Sequence, residues 1–288
     1  MSVQITTAMV KTYSSTVSYL ASQETSRLRP FFSVEPIHGE EVFFEQVGSV
    51  DMKDVTTRHT DTEYTDTPHS RRRVNPITSQ IADLVDRADR VKINIAPEGA
   101  YTRRHAEAWG RRLDDHIIDA AFGTAYTGKA GTTSTSFPAG NVVAHNFATT
   151  TSLTLAKVAE ANRLLDSGEV PREDRVAVIG SKQVADLMEV GTATSGDYVS
   201  LRPLMDGQIA YWMGFNWVRS ERLNTTAAGY RRTIFAHRDG IRLGIAEDMF
   251  ASVDVLPTKK FSTQVYLEGI AGAARMEEAR VVEVQCVE

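Results

Sequence analysis

The chain has 288 residues, a formal net charge of −5 and 24% charged residues. This length suits one large domain or two modest ones with a sizeable core, and the slightly acidic balance argues against tight, general nucleic-acid binding. The single cysteine, Cys286, excludes an internal disulfide and fits synthesis in a reducing compartment. Neither a secretory signal nor a membrane-spanning helix is expected, because the sequence contains no apolar run of the required length.

The first part of the chain, residues 1–34, predicts an N-terminal arm. Ser and Thr are frequent there, and the apolar residues are spaced singly, with at most a short helix at 7–23. Such a pattern gives no apolar face wide enough to anchor a core.

Residues 35–76 predict a long two-stranded β-ribbon. Its first strand begins at Val42, and its second contains an alternating, Thr-rich run at 60–67. Within 56–73, six of the eighteen residues are Thr and only Tyr64 is hydrophobic. An isolated two-stranded ribbon is marginally stable in water. The segment is therefore either disordered or packed on another chain.

A long amphipathic helix is predicted at 98–122. Apolar residues recur along it at three- and four-residue steps, and Pro97 and Gly123 suit its two ends. Two pairs of oppositely charged residues four positions apart are expected to stabilise it: Arg103 with Glu107, and Arg111 with Asp115. At ~1.5 Å rise per residue, the helix is long for a globular domain and is typical of a structural strut.

After a Gly-rich connector at 123–141, the pattern becomes α/β, with helices predicted at 153–166 and 182–188. The predicted strands are 176–179, 209–212, 215–218, 233–237, 241–245, 252–255, 264–267 and 281–284. Asp239-Gly240 is a favourable hairpin turn, so the strands on either side of it are expected to pair. Together the elements predict an α+β fold.

The segment 123–130 almost matches a phosphate-binding P-loop. Its glycines and Lys129 have the required spacing, but Ala130 stands where the motif needs Ser or Thr. The segment also follows a helix, whereas a P-loop follows a buried strand. A flexible connector is the favoured interpretation, and a P-loop-like nucleotide-binding enzyme stays an alternative.

No catalytic residue, cofactor or metal site is assigned. Asp115 and Asp119 share one helix face, but His116 points about 100° away from Asp115. The seven histidines show no zinc-ligand spacing. The only basic run, Arg71-Arg72-Arg73, is expected to pair with carboxylates of a neighbour or with water rather than with nucleic acid.

The order of the elements resembles the major capsid protein of tailed bacteriophages, which has the Hong Kong 97-like fold. An extended ribbon, a long helix, a Gly-rich link and an α/β domain follow one another from about residue 35 to the end. Three local stretches are similar to that family: 165–179, where a Val-Pro turn and an arginine introduce a buried strand; 214–220 with Leu223; and 269–275 leading into 281–284.

The resemblance implies an N-terminal arm at 1–34 and an extended β-hairpin loop at 35–76. It also implies a peripheral domain at 77–150 and 250–288, with its spine helix at 98–122, and an axial domain at 151–249. The implied function is self-assembly through pentamers and hexamers into an icosahedral virion head, in the cytoplasm of a bacterial host. Contacts of the extended loop with a neighbouring subunit are assigned to Thr60, Thr62, Tyr64, Arg71, Arg72 and Arg73.

Copies of the chain itself are then the main partner. Because only a short arm precedes the loop, a separate scaffolding protein is expected, with portal and decoration proteins as further partners and none in a membrane. Packaged double-stranded DNA is expected to be contacted weakly and non-specifically, in a salt-sensitive way. Two further alternatives remain: an encapsulin-like nanocompartment of the same fold with enzyme cargo, and a soluble β-rich binding module.

Overall fold

The computed structural model describes residues 23–58, 61–86, 97–148, 152–189 and 211–288. The chain divides into two compact units. The larger unit contains Arg27–Ile77, Arg112–Ala246 and Ala271–Glu288. The smaller unit contains Thr78–Arg111 and Glu247–Ile270, together with the described residues before Arg27.

The described residues form three α-helices: α1 (Pro97–Phe122), α2 (Leu155–Ser167) and α3 (Ser181–Glu189). Their strands are β1 (Ser33–Pro36), β2 (Val42–Val47), β3 (His69–Val74), β4 (Ile77–Val85), β5 (Ala125–Thr127), β6 (Thr133–Thr135), β7 (Val142–Val143), β8 (Arg175–Ile179), β9 (Tyr211–Trp212), β10 (Phe215–Arg219), β11 (Arg231–His237), β12 (Ile241–Leu256), β13 (Ser262–Arg275) and β14 (Val281–Cys286). The helices predicted at 98–122, 153–166 and 182–188 are confirmed with bounds that shift by at most two residues. The short helix considered at 7–23 lies outside the described residues, apart from its last position.

A six-stranded sheet lies at the centre of the larger unit, in the order β7-β14-β11-β8-β10-β9. Every residue of β8 is buried, as its apolar run predicts. β8 pairs in parallel with β10 and antiparallel with β11. On one side the rings of Phe215 and Phe235 meet edge to face, with centroids 5.1 Å apart. Trp217 joins the same core cluster, which α2 covers with Val158 and Leu165.

The arginine that introduces β8 is buried and fully engaged. The guanidinium of Arg175 donates to the side chains of Asn162 and Asp166 at 2.6 and 2.7 Å. It also donates to the carbonyls of Pro171 and Val170 in the turn before the strand. A buried cation is tolerated when its donors are satisfied in this way. The Val-Pro turn and the strand are thereby held in one arrangement.

A second sheet in the larger unit has the order β2-β3-β5-β6. β5 and β6 form a small antiparallel hairpin within the segment 123–141, and β5 also pairs with β3. The segment predicted as a flexible Gly-rich connector therefore contains two short strands. Its Gly and Thr residues form short strands because β3 offers an edge on which β5 can pair.

The long helix α1 buries the predicted apolar stripe. Within the larger unit, Leu113, Ile117 and Ala121 are buried. Within the smaller unit, the indole of Trp109 donates to Asp248 at 3.2 Å and lies so close to β13 that a Cβ at Gly269 would be 2.6 Å from the ring. The close approach of the indole requires glycine at that position.

Only one of the two predicted ion pairs on α1 is formed as expected. Arg103 and Glu107 are 3.3 Å apart, which confirms the first pair. Asp115 instead accepts two hydrogen bonds from Arg222, which lies after β10. The ion pair predicted between Arg111 and Asp115 from their spacing on the helix is thus replaced by a tertiary contact between Asp115 and Arg222.

The remaining strands form a sheet with the order β1-β12-β13-β4. β12 and β13 are 16 and 14 residues long, much longer than the strands predicted at 241–245, 252–255 and 264–267. β4 was not predicted, because the sequence of Ile77–Val85 does not alternate regularly between apolar and polar residues.

The hairpin predicted at Asp239-Gly240 was wrong. β11 pairs with β8 and β14, whereas β12 belongs to a different sheet. The residues Arg238–Gly240 form a 3₁₀ turn that redirects the chain. Gly240 is required because an added Cβ would lie 2.9 Å from the carbonyl oxygen of Arg280, so the glycine reflects close packing rather than a hairpin turn.

The peripheral and axial domains predicted from the resemblance are defined by their place in a shell. A single chain does not test those bounds, and they stay a prediction.

Candidate assembly interface

The hairpin of β2 and β3 has a regular, paired base. The two strands are in register from Val42 opposite Val74 to Val47 opposite His69. The pairing ends where the amide of Gly48 donates to the carbonyl of Pro68 at 2.8 Å. The ribbon is therefore closed at this point, and we call the residues that follow, 49–67, the distal loop.

The base of the hairpin is fixed by a small apolar core. Phe44 and Val74 are buried with Ile37, Ala274 and Met276. The guanidinium of Arg242 lies over the Phe44 ring, 5.2 Å from its centroid. Because β3 also pairs with β5, backbone hydrogen bonds hold the edge of the base while the apolar core holds its face.

The middle arginine of the basic run points into the larger unit. Arg72 is only 8% exposed, and its Nε donates to the carbonyl of Met276 at 2.9 Å. One terminal nitrogen binds both carboxylate oxygens of Glu278, at 2.7 and 2.9 Å. Charge-assisted bonds of this kind are stronger than neutral ones. Arg72 therefore ties β3 to the segment between β13 and β14.

The two flanking arginines lie on the other face of β3 and pair with carboxylates of their own chain. Arg71 is 3.0 Å from Glu45, which lies directly opposite it on β2. Arg73 is 3.2 Å from Glu41, and its guanidinium lies 4.9 Å from the centroid of Tyr126. The basic run is thus charge-paired within the subunit, and no solvated cluster of free arginines results.

The distal loop is exposed over its whole described length. The side chain of Tyr64 is 91% exposed, and those of Met52 and Val55 are similarly open. One ion pair crosses the loop, between Lys53 and Glu63 at 3.0 Å. Thr62 is exposed in the same segment, and Thr60 lies outside the described residues.

The prediction that the Thr-rich run continues the ribbon was wrong, because residues 61–67 form no strand. Threonine has a high strand propensity, but that propensity depends on packing against a neighbouring surface. The run has no apolar face, and nothing in the described part of the chain covers it. The sequence pattern therefore predicted correctly that this segment is exposed, and predicted incorrectly that it is a strand.

The P-loop-like segment has no phosphate-binding geometry. Residues 125–127 belong to β5, and the glycines at 128 and 131 form the turn to β6, where the amide of Gly131 donates to the carbonyl of Gly128 at 3.0 Å. Both glycines have positive φ, which suits a tight turn. Lys129 is exposed at the tip of this turn. A hairpin of this kind does not cradle a phosphate.

The acidic residues of α1 are engaged in structural contacts. Asp115 binds Arg222, and Asp119 accepts a hydrogen bond from Asn224 at 2.9 Å. His116 is buried, and burial together with the nearby Arg112 lowers its pKa. Within the described residues, no group of three or more His, Cys, Asp or Glu side chains is placed to hold a metal ion.

One surface was missed from the sequence. The outer part of β12 exposes Met249, Val253 and Val255, each about half exposed. The signal was present, because apolar residues occupy every odd-numbered position from 249 to 255. It was overlooked because the strand was divided into two short ones.

None of the helices within the described part of the chain is long and apolar enough to cross a membrane. A fixed hairpin base that carries a long, exposed and mostly polar loop is a feature of subunits that build larger assemblies. The geometry thus presents a surface that is suited to contact with another subunit.

Comparison with known proteins identifies the family. Its model, described as phage capsid protein, matches residues 5–288, and the chain therefore belongs to the phage capsid protein family. No curated protein sequence matches the chain. As a member of this family, it is a structural protein of the virion.

Solved capsid structures share the fold. The capsid protein of Cyanophage P-SCSP1u is similar with a TM-score of 0.73 at 15% identity, over 99% of this chain and 94% of its own. A structure of Mycobacterium phage Che8 has a TM-score of 0.68 at 20% identity, over 96% of both chains. The capsid of Cyanophage Pam1 has a TM-score of 0.72 at 15% identity, over 98% of this chain and 97% of its own. The fold is the Hong Kong 97-like one that the resemblance implied.

Proposed function

We propose that this chain is the major capsid protein that assembles through pentamers and hexamers into the icosahedral head of a tailed double-stranded DNA bacteriophage. The observation that carries the proposal is the distal loop, which is exposed over its described length and is held away from its own core by a closed hairpin base. A subunit that presents such a loop on a fixed support is prepared to contact another copy. Family membership makes the product of that contact a phage shell.

The distal loop supplies the contacts with the adjacent subunit. Thr62 and Tyr64 are exposed and free to make them, and Thr60 belongs to the same run. Tyr64 is suited to a central role, because a tyrosine side chain buries a large area at low entropic cost. Arg71 and Arg73 lie at the rim of the base and add electrostatic orientation rather than most of the affinity.

We assign Arg72 a different role from its neighbours. Its guanidinium is committed to Glu278 and to the Met276 carbonyl of its own chain. It therefore sets the position of β3 and, through it, the direction in which the distal loop leaves the subunit.

The polarity of the loop suits reversible assembly. Polar and charged contacts are individually weak when exposed to water, so incorrect contacts can dissociate before a shell closes. The net charge of −5 is consistent with a container that does not bind its packaged DNA tightly. Assembly in the cytoplasm of a bacterial host, and scaffolding, portal and decoration proteins, are further predictions of this proposal.

Electron microscopy of the purified protein tests the proposal. Closed particles of uniform size, with five- and six-fold capsomers, are the expected result. A small soluble oligomer at every concentration and ionic strength tried would contradict it. Particles isolated from the native source separate the phage head from an encapsulin-like nanocompartment, because the former contains double-stranded DNA and the latter an enzyme.

A further inference from the structure

The outer part of β12 has an open edge. On one side β12 pairs with β13, and on the other side with β1. The pairing with β1 extends only over residues 242–245 of β12. Beyond this point, within the part of the chain that the structure describes, no strand pairs with β12 on the β1 side. Among the described residues, none pairs with the backbone of 249–256 along that edge.

One face of this open segment is apolar. Asp248 accepts a hydrogen bond from the Trp109 indole, so at this point the even-numbered side of β12 faces α1 within the smaller unit, with Phe250 on the same side half exposed. Because side chains alternate along a strand, the odd-numbered ones point the other way. These are Met249, Ala251, Val253 and Val255, all of which are exposed.

An exposed edge with an apolar face is a liability for a soluble protein, because it templates pairing with another chain. Natural proteins shorten, charge or cover such edges. Here no charged residue interrupts the apolar positions 249, 251, 253 and 255 on their face. The edge is therefore suited to pairing with a strand of another chain in an assembly.

An antiparallel pairing of two copies centred on Val253 keeps apolar side chains opposite one another on one face. If two copies pair antiparallel with Val253 opposite Val253, Ala251 of each copy lies opposite Val255 of the other. In the same register, Glu247 of one copy lies at the level of Lys259 of the other, which belongs to the 3₁₀ turn that follows the strand, and both residues are exposed. A register shifted by one residue would instead place the apolar face of one copy beside the Asp254 face of the other.

We propose that β12 joins two copies of this chain across a two-fold axis by antiparallel pairing of their edges, centred on Val253. An isologous contact of this kind needs one self-complementary patch, and the apolar stripe with its flanking opposite charges provides it. The contact differs from the one made by the distal loop, and it rests on the proposed function because it joins subunits of the same shell.

The register is tested by disulfide cross-linking of assembled particles. The variant Val253→Cys is expected to form covalent dimers on mild oxidation, because directly opposite residues of an antiparallel pair have Cβ atoms about 4.5–5.5 Å apart. Ala251→Cys alone is the matched control on the same face. Its two thiols would be about four residues apart, roughly 13 Å, and too distant to bond. The double variant Ala251→Cys with Val255→Cys should cross-link again. The native Cys286 is buried and adds little background.

The outcomes separate this proposal from the proposed function. If closed shells form but Val253→Cys stays monomeric on denaturing gels, the two-fold contact is overturned and the proposed function is not. A different protein bound to the strand would give that result. Absence of any shell would overturn the proposed function instead. In shells, Glu247→Lys should reduce the yield of the Val253→Cys dimer several-fold, and adding Lys259→Glu should restore it.

Discussion

The base of the hairpin and its distal loop are consecutive in sequence, but they are held by different means. In the base, backbone pairing, the buried side chains of Phe44 and Val74 and the Arg72–Glu278 pair act together. In the loop, an exposed ion pair between Lys53 and Glu63 links the two halves. The base therefore stabilises the hairpin and sets the direction in which the loop leaves the subunit, whereas the loop keeps its contact residues available for another subunit. Variants that alter one region and leave the other intact separate these two roles.

Removal of the distal loop should abolish assembly and leave the subunit folded. In the test variant, residues 49–67 are replaced by a short turn between Gly48 and Pro68, whose backbone hydrogen bond already closes the ribbon. The free energy of unfolding should change by less than about 1 kcal/mol, because loop-closure entropy depends only weakly on length. Electron microscopy should show no closed shells.

A loop of native length and composition but scrambled sequence is the control for that deletion. It should also fail to assemble if particular side chains carry the contact. Normal shells from either variant would contradict the role given to the loop. A deletion that extends to Phe44 is unsuitable, because this residue belongs to the core of the base.

The second prediction compares one aromatic residue from each region. Phe44→Ala should lower the free energy of unfolding by about 3–4 kcal/mol, since it creates a cavity in a packed cluster. Tyr64→Ala should change it by less than about 0.5 kcal/mol, because the ring is exposed, yet it should reduce the yield of shells. Denaturant unfolding of unassembled subunits measures the first effect, and light scattering during assembly measures the second. Similar unfolding energies for the two variants would remove the distinction between base and loop.

The sequence predicted this distinction only in part. The absence of apolar residues around Tyr64 correctly indicated a segment that does not pack in its own core. The same absence did not indicate where the pairing of β2 with β3 ends, because Gly48 and Pro68 contact each other through backbone atoms. The role of Arg72 was equally hidden, since three consecutive arginines look alike until the alternation of β3 and the distant Glu278 are known.

The same limit applies to the rest of the fold. The long helix and β8 were predicted well, because a sustained apolar period and a wholly apolar run are local signals. The partners of β11 and β12 were not, because Asp239-Gly240 favours a hairpin locally while tertiary pairing takes the two strands into different sheets. Strand pairing depends on residues far away in sequence, and single-sequence patterns do not contain that information.

The third prediction compares neighbouring arginines. Arg72→Met should lower the free energy of unfolding by about 2–3 kcal/mol, because Glu278 loses both of its hydrogen bonds to Arg72 and keeps only the more distant Arg275, 3.6 Å away. Arg71→Met, the matched control, removes a more exposed pair with Glu45 and should cost less than about 1 kcal/mol. Urea unfolding of unassembled subunits measures both. Equal costs would show that the burial of Arg72 does not make it a structural residue of the base.

The smallest expected effect concerns the rim between base and loop. Arg71→Glu should weaken assembly, but it also places two carboxylates opposite each other across the β2–β3 ladder, which destabilises the hairpin itself. Adding Glu45→Arg restores the internal pair while the charge pattern presented to a neighbour stays inverted. If Arg71 orients an adjacent subunit, the swapped variant should regain the free energy of unfolding of the native chain. It should nevertheless assemble more slowly than the native chain at low salt, and the difference in rate should shrink at high salt because salt screens the charges. Complete recovery of the assembly rate at every ionic strength would assign Arg71 to the base alone.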